Sequence, residues 1–457
     1  MQKNKKKDDK ATEGFTESSL PKHSDGTLLM ETFYSYLPNG KYKEEMEKYT
    51  DLDVLFGKLK YNSFFNKGPE AEFLRGSYAE KKHTFQANQL KIVWGNDPEE
   101  DEINAYRIIV LLILVRYSLL HHKSCEEVPA PAYVMTDIHG QFSDLLRWFF
   151  KTGGPEQHNF NLVCTGDMVD RGLHQLETVC LFLYYKLKFP TRVFVLRGNH
   201  EDFDLHETYG FLPECNERFS KNAVDPGHQK LAKNIWYMFI HVFDYLPTVC
   251  VVEKKFMCVH GGISPYLAYC QTCMRNGDPL KVLDTCTKHK NANPVDQLIS
   301  TINFKVRTPV QVGKNYVQPS DIPKITKMKD LDKYTSLFAD LIWSDPKSFG
   351  GAHMSPKDAN WMSLKGWTEN KARQISFEFG TDVIEKFITQ FSLTTLVRGH
   401  EPKVQGYEWH YMKRCITVFS APNYTKSNDA AIAMITEKKE GNTRKLRLDP
   451  IQLVKTG

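Results

Sequence analysis

Ala132-Tyr-Val-Met135 leads to Asp137-Ile-His-Gly140; Phe160-Asn-Leu-Val-Cys164 to Gly166-Asp-Met-Val-Asp-Arg-Gly172; Arg192-Val-Phe-Val-Leu196 to Arg197-Gly-Asn-His-Glu201. The reading of residues 132–201 decides the fold. Three short apolar runs each end in a polar, glycine-containing turn. Helical apolar patterns over 143–150 and 176–187 separate them. This alternation predicts two successive βαβ units of about 30 residues each, and so neighbouring parallel strands. Each polar turn then follows the carboxyl end of a strand, where open α/β sheets bind ligands.

Outward from this stretch, residues 102–120 predict a buried helix leading into the domain. Residues 249–259 predict a strand ending in His260-Gly-Gly262, and 393–397 a strand ending in Arg398-Gly-His400. Runs at 407–411, 415–419, 430–435 and 446–453 have the spacing of hairpins, hence antiparallel strands. A β-sandwich of mixed sheets flanked by helices, of α/β class, satisfies both halves. Residues 1–26 are polar and Lys-rich and predict a disordered tail. Residues 27–90 are expected to be an N-terminal extension, partly helical. The main domain is expected over 91–457, with an insertion at 266–339 that is rich in Lys, Asp, Asn and Pro.

Composition bounds the function. A chain of 457 residues is too long for one core at the usual ~100–200 residues per domain. With 41% hydrophobic, 12% aromatic and 25% charged residues it is no disordered chain, collagen repeat or coiled-coil rod. Mean hydropathy is -0.46. The longest aliphatic run, 108–115 between Arg107 and Arg116, falls far short of the ~20 residues of a membrane helix. Sixty basic against 55 acidic residues, a net charge of +5, is too balanced to imply nucleic acid. Met1 is followed by charge rather than an apolar core, so no export signal is expected. Ten cysteines are too sparse for a disulfide scaffold. The expectation is a protein of cytoplasm and/or nucleus, with reduced thiols and no membrane or nucleic-acid partner.

Five strand-terminal turns deliver metal-type ligands: Asp137 and His139; Asp167; Asn199; His260; His400. Two carboxylates, three imidazoles and one amide oxygen exceed what a four-coordinate zinc needs. They suit two divalent ions sharing a carboxylate. Asp167, on the middle strand, is the expected bridge. One ion then takes Asp137, His139 and Asp167, and the other Asp167, Asn199, His260 and His400. Such a pair, about 3.5–4 Å apart, clamps an in-line displacement. Arg171 and Arg197 beside it offer guanidinium forks that grip phosphate oxygens in a bidentate way. A leaving alkoxide needs a proton. His200, next to Asn199 and not needed as a ligand, is the expected general acid, kept charged by Asp170.

These motifs, in order, resemble the phosphoprotein phosphatase family of metal-dependent Ser/Thr protein phosphatases, and most nearly its type-one catalytic subunit group. Later motifs agree: His260-Gly-Gly262, Leu341-Ile-Trp-Ser-Asp345, Phe377-x-Phe-Gly380, Arg398-x-His400 and Ser420-Ala-Pro-Asn-Tyr424. The resemblance covers residues from about 102 to the C-terminus, apart from the insertion. It implies a calcineurin-like phosphoesterase with two divalent ions (Mn, Fe or Zn) and direct attack of water on phosphoserine or phosphothreonine. It also implies phosphoprotein substrates and regulatory subunits. Through the run Arg373-Gln-Ile-Ser-Phe377 it adds Arg373 as a phosphate-binding arginine, and it adds Tyr424 as a tyrosine overhanging the site.

The sequence departs from that pattern in places. Thr136 stands where Gly is usual, and a β-branched residue would be strained if the position needed a positive φ. Met168 replaces an aromatic. Asp202 adds a negative charge after Glu201. Gly399 replaces Ala, and 425–428 differs in the loop after Tyr424 that binds inhibitors in the family. Thr136 and Asp202 motivate the alternative, a weak or inactive pseudophosphatase that binds phosphoproteins. A third reading, an enzyme of small phosphoesters, fits the Tyr424 motif less well. Within the insertion, Cys270-x2-Cys273 and Cys286-x2-His289 have the spacing of a structural zinc site.

Overall fold

The structure, a computed structural model, describes residues 98–119, 122–155, 159–220, 226–268, 293–305, 336–348, 361–440 and 443–454. Helix α1 (Pro98–Leu119) leads into β1 (Cys125–Val128) and β2 (Ala132–Met135). Then come α2 (Phe142–Thr152), β3 (Asn161–Cys164), α3 (Gln175–Lys188) and β4 (Val193–Val195). Strands β2, β3 and β4 are parallel neighbours, as the βαβ reading requires. In α2, Phe142, Leu145, Leu146, Trp148 and Phe149 are buried, one helical stripe at the spacing that faces a core.

Helices α4 (Phe203–Tyr209), α5 (Phe211–Ser220) and α6 (Pro226–Phe243) follow, then β5 (Val249–Val252) and β6 (Phe256–Val259). The sequence predicts one strand over 249–259; the structure holds a hairpin. Glu253 and Lys254 take positive φ and turn the chain, so the charged triplet at 253–255 breaks an otherwise apolar run. Helices α7 (Pro294–Lys305) and α8 (Ser336–Trp343) lie within or run out of the stretch expected as an insertion. They are not appendages: Leu298, Ile302, Leu337 and Leu341 belong to a buried cluster with β5 and β6. Their apolar spacing was obscured by the polar residues around them. The expected tail, the N-terminal extension and the Cys270, Cys273, Cys286, His289 group lie outside the described residues.

The chain closes with β7 (Asp345–Pro346), β8 (Trp367–Glu369), β9 (Phe377–Phe379), α9 (Thr381–Gln390) and β10 (Thr395–Arg398), then β11 (Tyr407–His410), β12 (Cys415–Val418), β13 (Ala430–Glu440) and β14 (Thr443–Leu453). A five-stranded sheet has the order β14-β13-β2-β3-β4, and a six-stranded one β1-β5-β6-β10-β12-β11. A small third sheet is β7-β9-β8.

Alternation along the strands builds the sandwich. Cys250, Val252, Phe256, Cys258, Val397, Ile416 and Val418 face Val134, Val163, Phe194, Ala431 and Ala433 of the other sheet. The alternate residues Val249, Val251, Met257, Val259 and Leu396 face α7, α8 and α9. The expected α/β sandwich of mixed sheets is therefore what forms. Among the described residues, no helix is long and apolar enough to cross a membrane. Parallel β2, β3 and β4 in one sheet, and parallel β6, β10 and β12 in the other, bring six strand ends to one edge of the sandwich.

Candidate metal centre

At that edge the backbone is bent into unusual shapes. His139, Asp167, Asp170, Arg171 and His400 all take positive φ, between 45° and 76°. Non-glycine residues pay for this conformation in strain, which concentrates at functional sites. Gly166 and Gly198 make the close approach of two turns possible, since a β-carbon on Gly166 would overlap the backbone of Gly198. Glu201 ties the same turns together. Its buried carboxylate accepts from Gly198 N at 2.7 Å, Asp167 N at 2.8 Å and Met168 N at 2.9 Å.

The ligand candidates converge. Donor atoms of His139, Asp167 and His200 lie within 4.8 Å of one another, and so do those of Asp167, His260 and His400. Asp167 belongs to both groups, the position expected of a bridge. His139 Nε2 is 3.4 Å from Asp167 Oδ2, and His260 Nε2 is 3.4 Å from Asp167 Oδ1. Asn199 Oδ1 lies 2.8 Å from His260 Nε2. Asp137 joins from the side, with both carboxylate oxygens 3.0 Å from His400 N. His139 Nδ1 donates to Val169 O at 2.8 Å, which leaves Nε2 as the lone pair directed at Asp167.

These residues fit divalent cations. His260 Nε2 and His400 Nδ1 face each other at 3.1 Å, while buried His260 Nδ1 and His400 Nε2 have no partner among the described residues. Burial holds all three imidazoles neutral: His139 is pushed down to about 3, and His260 and His400 well below their ordinary value. Burial pushes Asp137 up to about 6 and, with the charge of Asp137 added, Asp167 well above the carboxylate range. Neutral nitrogens beside crowded carboxylates satisfy one another only around positive charge.

Around this centre stand the residues expected to handle phosphate. His200 Nδ1 is 2.7 Å from Asp170 Oδ2, and its ring meets His139 edge-on at 4.7 Å. The expectation that Asp170 keeps His200 charged is corrected for the free site. Burial, with the cations Arg171 and Arg373 adding to it, pushes the imidazole down to about 3, and burial pushes Asp170 up. Arg171 is exposed and lies over the Tyr209 ring at 3.8 Å. Arg197 is buried instead, with Nη1 3.0 Å from Asp244 and Nη2 3.9 Å from Asp202. Arg373 bonds Asp345 at 3.1 Å and His400 O at 3.0 Å. Tyr424 stacks on His139 at 5.0 Å. The residues expected as metal ligands, acid pair and phosphate binders thus gather at one edge.

The departures have plain structural accounts. Thr136 is not among the residues of positive φ, so the position needs no glycine geometry. Asp202 caps α4, accepting from Asp204 N, and faces Arg197. Residues 425–428 close on Asn428, whose Oδ1 accepts from Thr425 N at 2.8 Å.

Sequence reasoning missed several supporting residues. Gln175 accepts from Asp170 N at 2.8 Å and donates to Gly172 O at 3.1 Å. Tyr209 holds Arg171, and Asp345 holds both Arg373 and buried Arg398. Glu201 and Asp345 ended motifs that were read, so spacing marked them without showing their role. Nothing in the spacing marks Gln175, which bonds back to the turn just before its own helix, or Tyr209, whose partner Arg171 comes from another turn.

Fold and site define a metal-dependent phosphoesterase. The chain belongs to the calcineurin-like phosphoesterase family, which its residues 130–404 match. A solved protein serine/threonine phosphatase from Saccharomyces cerevisiae is similar in fold, with a TM-score of 0.53 and 20% identity, over 77% of this chain and 90% of that one. A cold-active protein-tyrosine phosphatase from a Shewanella species aligns with a TM-score of 0.38 and 17% identity, over 71% and 82%.

Proposed function

We propose that this protein is a protein Ser/Thr phosphatase that hydrolyses phosphoserine and phosphothreonine esters. The observation that carries the reading is one carboxylate, Asp167, shared by two groups of donor atoms. The His200–Asp170 pair stands beside it. Asp137, His139, Asp167, Asn199, His260 and His400 would hold two divalent ions, of manganese, iron or zinc. When bound, such ions supply a water of lowered pKa and neutralise charge on the transferring phosphoryl group.

The chain's own residues do the rest. Arg171 and Arg373 orient the phosphate oxygens from the open side of the site. Arg197, buried against Asp244 and Asp202, adds positive charge from behind. Burial, with the cations Arg171 and Arg373 adding to it, keeps His200 neutral in the free site; the arriving dianion offsets those cations, so the imidazole takes up a proton as substrate binds. Asp170 fixes the ring through Nδ1, which leaves Nε2 to deliver that proton to the leaving serine or threonine oxygen. Tyr424 borders the site over His139. The reading implies phosphoprotein substrates of cytosol or nucleus, with regulatory subunits selecting among them.

The test is phosphate release from a phosphothreonine peptide by the purified full chain, with and without manganese, beside His200→Asn. Manganese-dependent release that the substitution slows about 10²–10⁴-fold is the expected result. A protein that loads metal and binds the peptide but releases no phosphate would instead be a pseudophosphatase.

A further inference from the structure

Gly399 lies at the end of β10, one residue before His400, and its main chain is tied on both sides. Its N–H donates to His260 O at 3.0 Å, and its carbonyl accepts from Glu401 N at 2.9 Å. Just ahead, Arg398 is fully buried and bonds Gly261 O at 2.5 Å, Glu401 at 2.6 Å and Asp345 at 2.6 Å. This segment cannot retreat without breaking several buried bonds.

The face of Gly399 that lacks a side chain is filled by its neighbours. A β-carbon there would overlap Asp137 Oδ2 and stand 2.9 Å from Thr136 Cβ. Carbon atoms in contact sit about 3.5–4.0 Å apart, so neither approach is tolerable. φ at Gly399 is not positive, so only space demands glycine. Asp137 is held too, with His400 N 3.0 Å from both its carboxylate oxygens, so the free end of this side chain can swing aside only into room left at residue 136. Thr136 has little freedom to yield: it is fully buried, Oγ1 donates to Val418 O at 2.7 Å, and its N–H donates to Ser420 Oγ at 2.9 Å.

We infer that Thr136 and Gly399 are a matched pair of positioning residues that together set where the Asp137 carboxylate stands. One contributes a β-carbon and the other the space for it. Each is intelligible only with the other: a larger residue at 399 calls for a smaller one at 136. The inference rests on the reading of Asp137 as a metal ligand.

The test is a set of full-length variants stripped of metal with a chelator. Manganese affinity is read by calorimetry, and the melting temperature of the metal-free protein is read beside it. Gly399→Ala should weaken manganese binding about 10–100-fold, the usual range for disturbing the support of a ligand. Adding Thr136→Gly to Gly399→Ala should recover most of that loss. Adding Thr136→Ala should not, because alanine keeps the β-carbon. Thr136→Gly alone, which opens space rather than closing it, should weaken binding less than Gly399→Ala does.

Wild-type affinity in Gly399→Ala, or equal rescue by Thr136→Ala and Thr136→Gly, overturns the pairing. If Gly399→Ala does not fold, soluble protein regained with Thr136→Gly supports it, and continued failure counts against it. Wild-type protein that takes up no manganese overturns the metal reading of Asp137 and this inference with it. Normal wild-type uptake with an unaffected Gly399→Ala overturns this inference alone.

Discussion

His200 has one nitrogen committed to Asp170 and the other left for chemistry, so its contribution depends on what leaves. Serine alkoxide is a poor leaving group and needs the proton; a nitrophenolate does not. His200→Asn should therefore slow phosphopeptide turnover about 10²–10⁴-fold while metal content is kept. With p-nitrophenyl phosphate the loss should be far smaller, and equal losses on both substrates would refute the role. Gln175 extends the same argument one residue outward. Its side chain bonds Asp170 N and Gly172 O, the two ends of the turn that carries Arg171. Gln175→Ala should misplace that turn and cost up to about 10²-fold in turnover. If Gln175 acts through Asp170, the same substrate comparison should show the larger loss on phosphopeptide. A uniform loss would make it a structural residue only. The proposed ligands were legible because strand-terminal turns concentrate them in sequence. Tyr209 was not, because it meets Arg171 across a different turn, and Gln175 was not, because a glutamine that opens a helix carries no spacing signal of its own.

At the scale of elements, the start of α3 is held by a carboxylate from α5. Glu214 accepts from Gln175 N at 3.1 Å and Leu176 N at 3.0 Å, where a helix leaves N–H groups unpaired. Burial, reinforced by nearby Glu177, pushes Glu214 up to about 8 against the lowering effect of those N–H groups and of Arg218. A carboxyl raised on folding contributes stability that is whole below its unfolded value and is lost as pH rises through its folded value. For Glu214 the window runs from its ordinary 4.5 up to about 8. The melting temperature should fall across that window, and Glu214→Gln should flatten the slope even if it lowers the starting value. An unchanged slope in the variant would exclude Glu214 as its source.

A second element, the loop at 421–428, gathers on Asn428. This residue accepts from Thr425 N and donates to Ala421 O, each at 2.8 Å. Asn428→Ala should leave buried groups unpaired at a cost of about 1–3 kcal/mol. It should also raise KM by freeing Tyr424, as chemical denaturation and steady-state kinetics can read. The elements themselves were mostly legible, since period-2 and helical patterns survive wherever one face is buried. Exceptions have local causes: three charged residues made a turn of 253–255, and polar flanks hid the core-facing stripes of α7 and α8.

Across the whole molecule, the candidate metal centre lies where the two sheets meet. Asp137, His139, Asp167 and Asn199 follow β2, β3 and β4 of one sheet, whereas His260 and His400 follow β6 and β10 of the other. A cation held by both sets ties the sandwich together at one edge, and a site divided in this way exists only in the folded chain. Binding to the folded state alone stabilises by an amount set by mass action, about 2.7 kcal/mol at a hundredfold excess over Kd. Chelation should therefore lower the melting temperature by several degrees, and added manganese should restore it in a concentration-dependent way. His400→Ala removes a ligand of the second sheet and should abolish most of that manganese-dependent rise. His200→Asn leaves the proposed ligands in place and should retain it, even though its turnover is lost. Separating the two effects in one pair of variants distinguishes a cation that bridges the sheets from one that merely serves the chemistry. A melting temperature indifferent to manganese in the wild type would mean that the folded chain does not bind the ion in preference to the unfolded one.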